Sequence, residues 1–300
     1  MFQTPVALFI FNRPDCTAQL VKALAEVKPA KLFVIADGPR TAGENPLCEQ
    51  TRDIINQINW PCTIFKRYSP RNIGCRESIP KGLNWVFDQV DSCIILEDDC
   101  IPKPSFFPFC EELLARYQEE ERVMTIGGHR SDGPNEIEKE SYYFSKYPSV
   151  WGWATWKEKW AKFDLNMSQW HELKHSNWLD ERLPSPKAVA YWKRMFNQMS
   201  NGLNTWDYAL TYSCWLNQSL SIRSKVNMIS NVGFGEAATH THQSEMKDLY
   251  ANPMDTKFPL IHPDFIGIDE AADERIEWVS FSGMDERMLE IAKHGIKKLR

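Results

Sequence analysis

The chain has 300 residues, enough for one large α/β domain or two small ones. Its apolar (43%) and charged (25%) fractions are those of an ordinary soluble globular protein, and its formal net charge of −5 argues against a general nucleic-acid-binding role. No apolar stretch is long enough to span a membrane, so at most peripheral membrane contact is expected.

Met1 to Pro5 carries no basic leader, and the apolar run that follows reads as a strand rather than a signal peptide. That first strand covers Pro5 to Phe11. Asn12-Arg13-Pro14-Asp15 ends it and opens a helix, with Pro14 and Asp15 suited to a first turn. Leu20, Val21, Leu24 and Val27 supply its apolar face. Lys31 to Ala36 is a second strand ending in Asp37-Gly38, followed by a polar loop and a helix around Leu47 to Ile58. Cys62 to Phe65 is a third strand, and Ile79, Leu83, Val86, Phe87 and Val90 mark the next helix. Ser92 to Leu96 is a fourth strand, Phe106 to Tyr117 a helix, and Val123 to Ile126 a fifth strand. The eight cysteines show neither a CxxC pair nor a Cys/His zinc spacing, and are expected as reduced thiols in a cytoplasmic protein.

Strands and helices that alternate in this way predict a mostly parallel sheet covered on both faces. Ligands of such sheets bind beyond the carboxyl ends of the strands. Arg13, Asp37 and the triplet Glu97-Asp98-Asp99 all fall at such ends. In an extended strand Glu97 and Asp99 would point to one side and Asp98 to the other. Three adjacent carboxylates at the mouth of a core strand suit a hard cation, Mg²⁺ or Mn²⁺, whose remaining ligands a phosphate ester can supply. A solvated acidic turn is the alternative. No GxGxxG follows the first strand and no GxxxxGK[ST] occurs, which argues against a Rossmann dinucleotide site and a P-loop.

The second half is aromatic, with most of the twelve tryptophans lying between Trp151 and Trp215. Indoles can stack on sugar rings, but they more often thicken a core. Gly152 between Trp151 and Trp153 implies a turn or a close backbone approach. Trp151, Trp153 and Trp156 read as core, with one of them lining a sugar pocket. Lys187 to Met199 has a helical apolar face, Asn204-Thr205-Trp206-Asp207 opens a helix through Leu216, and Leu220 to Arg223 and Val226 to Ile229 look like short strands. Asn231 to His242 is a polar, glycine-containing loop, and Asp285 to Arg300 a terminal helix with acidic residues first and basic residues last.

Taken in order, Phe11-Asn12-Arg13, Ala36-Asp37, Leu96-Glu97-Asp98-Asp99 with Pro104-Ser105-Phe106-Phe107, Gly152-Trp153 with Trp160, and Trp206-Asp207 resemble the catalytic domain of animal N-acetylglucosaminyltransferase I, over residues 5 to 242. That family has the GT-A fold and transfers sugar with inversion and a divalent metal. The resemblance implies one GT-A domain, with residues 1–130 forming the nucleotide-sugar-binding half and 131–300 the acceptor-binding half that carries the base. It implies that Arg13 and Asp37 contact the nucleotide, that Glu97 and Asp98 contact ribose and donor sugar, and that Asp99 binds Mn²⁺ or Mg²⁺. Asp207 would be the catalytic base, Trp153 and Trp206 would belong to the sugar pocket, and His240 would be a second metal or diphosphate ligand, with His242 nearby. The donor would be a nucleotide sugar, UDP-N-acetylglucosamine among the UDP-sugars. The acceptor would be a glycan or lipid-linked saccharide in polysaccharide biosynthesis, without the membrane anchor and stem of the animal enzymes.

On the residues alone, plainer roles stay open. Asp207 can cap its helix, Asp37 can close an Asp-Gly turn, Arg13 can pair with a surface carboxylate, and His240 can be an ordinary loop histidine. His129, after Gly127-Gly128, could line the pocket. Two other functions compete with glycosyl transfer. A sugar-phosphate nucleotidyltransferase would need a glycine-rich basic loop after the first strand, where only Arg13 stands. A non-catalytic sugar-binding protein would use the tryptophan-rich half.

Overall fold

The computed structural model describes residues 1–130, 139–183, 185–233 and 253–281. In chain order the elements of the first half are β1 (Val6–Ile10), α1 (Pro14–Val27), β2 (Lys31–Ala36), α2 (Asn45–Ile55), β3 (Thr63–Tyr68), α3 (Cys75–Phe87), β4 (Ser92–Glu97), β5 (Cys100–Pro102), α4 (Phe106–Arg116) and β6 (Val123–Gly127). The second half contributes β7 (Tyr142–Ser145), β8 (Trp153–Trp156), α5 (Lys157–Trp160), α6 (Trp170–Leu173), α7 (Pro186–Ser200), α8 (Asp207–Leu216), β9 (Leu220–Ser224), β10 (Ile229–Asn231) and α9 (Glu270–Phe281).

The protein is of the α/β class, with a central eight-stranded sheet in the order β3-β2-β1-β4-β8-β6-β9-β7 and a two-stranded β10-β5 ribbon beside it. Strands β1 to β4, β6 and β9 run in one direction, while β8 and β7 run against them. The central strands β1, β2, β4 and β6 are apolar almost throughout and buried on both faces, as parallel strands covered by helices must be. One core lies on each side of the sheet. On one side α3, α7 and α8 pack over Phe9, Phe33, Ile95 and Trp153; on the other α1 and α4 pack over Leu8, Val34, Leu96 and Ala154.

β8 is the element that joins the two halves of the chain. It inserts between β4 and β6, so the tryptophan segment becomes sheet interior. Gly152, immediately before it, has φ of +65°, and a Cβ there would lie 2.4 Å from Ile229 Cδ1. The expected turn with close approach is thus present, and it lets Gly128 N donate to Gly152 O at 2.9 Å. Trp153, Trp156, Trp160, Trp170, Trp178, Trp192, Trp206 and Trp215 are all buried. The aromatic richness therefore builds a core, which removes the main support for a sugar-binding protein that uses these rings as its surface. The short strand expected at Val226 to Ile229 begins at Ile229 instead, because β10 pairs with β5 only from there. The expected helix over residues 285–300 lies outside the described residues. No helix among the described residues is long and apolar enough to cross a membrane.

Candidate functional site

A cleft of about 410 Å³ opens at the carboxyl edge of the parallel strands. It is lined from β1 by Phe9 to Phe11 and Arg13, from β2 by Asp37, and from β4 by Glu97, Asp98 and Asp99. The start of α3 adds Gly74 and Cys75, the start of α8 adds Asn204 to Tyr208, and the end of β10 adds Asn231 and Gly233.

The acidic triplet does not alternate as an extended strand would. β4 ends at Glu97 and the chain turns through Asp98 and Asp99. One guanidinium therefore reaches both aspartates: Arg13 donates to Asp98 Oδ1 and, at 2.8 Å, to Asp99 Oδ2. Asp98 is 2% exposed and also accepts from Phe11 N at 3.1 Å. Burial raises its carboxyl above the ordinary range, and Arg13 opposes that rise. Glu97 is raised as well, first by burial and then by repulsion from Asp99 and Asp98, with Asp207 adding to it. Asp99 Oδ2 is covered by the backbone of Gly233, where a Cβ would lie 2.2 Å from it.

Asp37 organises a loop. Its carboxylate accepts from the amides of Gly38 (2.8 Å), Ile73 (3.1 Å) and Gly74 (3.0 Å) and from Asn72 Nδ2 (3.0 Å). Gly74 is the N-cap of α3, so Asp37 ties the end of β2 to the start of that helix. Those four donors match the lone pairs a carboxylate offers. The Asp-Gly turn foreseen as the plain role is therefore present, on a residue that also lines the cleft.

Asp207 is the first residue of α8, and Trp206 is its N-cap. The carboxylate accepts from Thr205 Oγ1 and lines the cleft, so it is not the capping group. The first helical turn favours a carboxylate in any case. The loop that precedes it is fastened to α3: Cys75 Sγ donates to Asn204 O at 3.1 Å, and Arg76 Nη1 to Met199 O at 3.1 Å. Burial pushes the Cys75 thiol up to about 11, with Glu97 and Asp207 contributing, so it stays protonated and is no nucleophile.

Trp206 is 3% exposed and its edge borders the cleft. Trp153 does not line it. It is fully buried, stacked beneath Trp206 at 5.5 Å and beside Trp160 at 6.1 Å, and supports the cleft wall from below. The reason is the pairing of β8 between two core strands, which turns Trp153 into the helix-covered face. Trp151 is the tryptophan of that segment that reaches the cleft, with its ring 4.5 Å from the buried His129. His240 and His242 lie outside the described residues.

Several cleft residues carried no sequence-level signal of function. Arg40 lines the wall, held by Glu44 and placed over Phe11 at 5.2 Å. Asn72, Cys75, Asn204 and Tyr208 arrive from loops and helix starts. Only Asn72-Ile73-Gly74, a turn signal ahead of an amphipathic helix, could have been picked out.

Among the described residues no group of three or more His, Cys, Asp or Glu is arranged to hold a metal ion. Asp99 alone still fits a metal that the substrate completes. Among the described residues its Oδ1 has only the weak donor Cys100 Sγ at 3.5 Å, and Mg²⁺-type sites commonly use one or two carboxylates plus phosphate oxygens and water.

No family model matches the chain, and no curated protein does. Among solved structures, mouse xyloside xylosyltransferase 1 in its apo form is 7% identical, over 71% of this chain and 81% of that one, with a TM-score of 0.37. UDP-glucose pyrophosphorylase complexed with UDP-glucose is 9% identical over 74% and 90%, with a TM-score of 0.36. The apo form of UDP-glucose pyrophosphorylase is 10% identical over 73% and 90%, with a TM-score of 0.35. Such similarity assigns neither substrate nor chemistry.

Proposed function

We propose that the chain is an inverting, metal-dependent glycosyltransferase of the GT-A type. It would move a sugar from a nucleotide sugar, a UDP-sugar such as UDP-N-acetylglucosamine, to a hydroxyl of a glycan or lipid-linked saccharide. The observation that carries this reading is the meeting of Arg13, Asp37 and Glu97 to Asp99, from three strand ends, with Asp207 at a helix start, in one cleft. The chemistry of glycosyl transfer needs anion binding at one end of such a cleft and a proton acceptor at the other.

Asp99, with Mn²⁺ or Mg²⁺ bound to it, would hold the donor diphosphate, and the metal supplies neutralisation of the charge that develops on the leaving group. Arg13 holds Asp99 in place and adds positive charge beside it. Glu97, kept protonated more readily than a free carboxylate, can donate a hydrogen bond to a ribose or sugar hydroxyl. The acceptor oxygen attacks the anomeric carbon from the face opposite the diphosphate. The bond to the diphosphate breaks with its electron pair, and the hydroxyl proton passes to Asp207.

Titration calorimetry with UDP and GDP, each with and without Mn²⁺, tests the donor half. One nucleotide is expected to bind only with the metal and to lose that binding in Asp99→Ala. Asp207→Asn should keep nucleotide binding and lose on the order of 10²–10⁴-fold in transfer rate. Failure of both nucleotides to bind with Mn²⁺ present, or full transfer by Asp207→Asn, would sink the reading.

A further inference from the structure

At the β2 end of the cleft, both carboxylate oxygens of Asp37 are taken up by the protein itself. Oδ1 accepts from Gly38 N at 2.8 Å and Ile73 N at 3.1 Å, and Oδ2 from Gly74 N and Asn72 Nδ2, each at 3.0 Å. Asp37 is 8% exposed, and these donors leave it no lone pair for a ligand. Asn72, on the same cleft wall, is arranged the other way round. Its Nδ2 donates both protons inside the protein, to Asp37 Oδ2 and, at 2.9 Å, to Gly38 O. Two acceptors on that one nitrogen fix which way the carboxamide points. Its Oδ1 has no donor among the described residues and is not closed off from solvent. The loop around it is held from both sides. Gly38 lies against the backbone of Arg71, where a Cβ would come within 2.4 Å, and Arg52 Nη2, from α2, ties Asp37 O (3.0 Å) to Ser69 O (2.9 Å).

An acceptor oriented by its own hydrogen bonds and left open on a cleft wall is preorganised for a donor on the ligand. β1 separates β2 from β4, so Asp37 and Asp99 stand two strand spacings apart, an interval of about 10 Å. In the reading above Asp99 holds the diphosphate. A ribose and two phosphates bridge that interval and bring the base to Asn72. We propose that Asn72 Oδ1 accepts the ring N–H that uracil and guanine carry and that cytosine and adenine lack, so that Asn72, rather than Asp37, selects the base. Cytosine N3 or adenine N1 would set a lone pair against Oδ1, and a site built to accept an N–H discriminates strongly against a ligand without one. Asp37 is then a positioning residue that sets the Asn72 carboxamide. The assignment rests on the nucleotide-sugar reading for the class of ligand, while the open acceptor itself does not.

Titration calorimetry on the wild-type protein with Mn²⁺ compares UDP with CDP and 3-methyl-UDP, and GDP with ADP and 1-methyl-GDP. The tighter of UDP and GDP should lose about tenfold or more in affinity when its ring nitrogen is methylated, and about as much when the base is exchanged for cytosine or adenine. Asn72→Ala, in which Asp37 keeps its three backbone donors, should reduce that preference to about twofold or less while Mn²⁺ still strengthens diphosphate binding. The comparison of ligands on the wild-type protein needs no variant to fold. A methylated nucleotide that binds within about twofold of its parent, CDP or ADP binding as tightly as UDP and GDP, or an undiminished preference in Asn72→Ala overturns the proposal. The corresponding monophosphates, titrated without metal, separate the two readings. A base preference among them, with no effect of Mn²⁺ on diphosphate binding, upholds the Asn72 contact and removes the metal-dependent donor reading. Metal-dependent diphosphate binding without a base preference does the reverse, and no nucleotide binding at all overturns both.

Discussion

Removing the Arg13 guanidinium would leave the buried Asp98 carboxylate with one donor, Phe11 N, in place of two. Breaking a buried pair on one side is expensive, and the guanidinium here is 22% exposed. Arg13→Ala should therefore cost about 3 kcal/mol, at the low end for such pairs, in urea unfolding at pH 7. A loss under about 1 kcal/mol would mean that Asp98 is held by something else. Two buried groups set opposite pH responses. Burial pushes His129 down to about 3, with the charge of Arg223 adding to it. Its folded value lies below its unfolded one, so its contribution is present above pH 6.5 and is lost as pH falls toward 3, with a slope approaching about 1.4 kcal/mol per pH unit. Burial pushes Asp273 up to about 6, with hydrogen bonds from Ser145 and Lys146 opposing it. Its contribution is present below 3.8 and is lost as pH rises through about 6. His129→Gln should flatten the acid limb of a Tm-against-pH curve between pH 6.5 and 4, and an unchanged limb would assign that loss to other groups.

The elements that build the cleft meet at their ends. Asp37 fastens the β2 terminus to the α3 start, and the α3 start fastens the loop ahead of α8. A shift in any one of these ends moves Asp207 relative to Asp99, and small misplacements of reacting groups are costly in rate. β8 enters the sheet through Gly152, whose positive φ is strained for any residue with a Cβ. Gly152→Ala should cost about 1–2 kcal/mol by chemical denaturation. An unaffected midpoint would show that Ile229 and the backbone accommodate the methyl group. Most helices and strands of the first half were legible from periodicity and turn residues: α1 begins at Pro14 and β2 covers Lys31–Ala36, where the sequence places them. β7, β8 and α9 were not. β8 is four residues of Trp-Ala-Thr-Trp in an aromatic stretch that has no alternation to distinguish strand from helix.

At the scale of the molecule, the two halves share one sheet and both cores. β8 and β9, from the second half, flank β6, and β8 covers the free edge of β4. A fragment of residues 1–130 would expose those edges and the apolar faces that α7 and α8 cover. It should lack cooperative urea unfolding, while the full chain should lose near-UV and far-UV circular dichroism in a single transition. Two separate transitions in the full chain would contradict the shared core. The sequence by itself determined the α/β class, the parallel strands of the first half, and the position of Arg13, Asp37 and Glu97 to Asp99 at strand ends, while Asp207 became a candidate base only through the family resemblance. It could do so because those signals are local: hydrophobic period, turn chemistry and chain direction act over a few residues. Only the tertiary structure decided that Trp153 lies beneath the cleft wall and Trp151 on it, that one arginine holds both Asp98 and Asp99, and that the Asp37 carboxylate is taken up by its own loop while Asn72 keeps an open acceptor. Each of those depends on which strand pairs with which between segments far apart in the chain, and long-range pairing is set by the packing of the whole sheet.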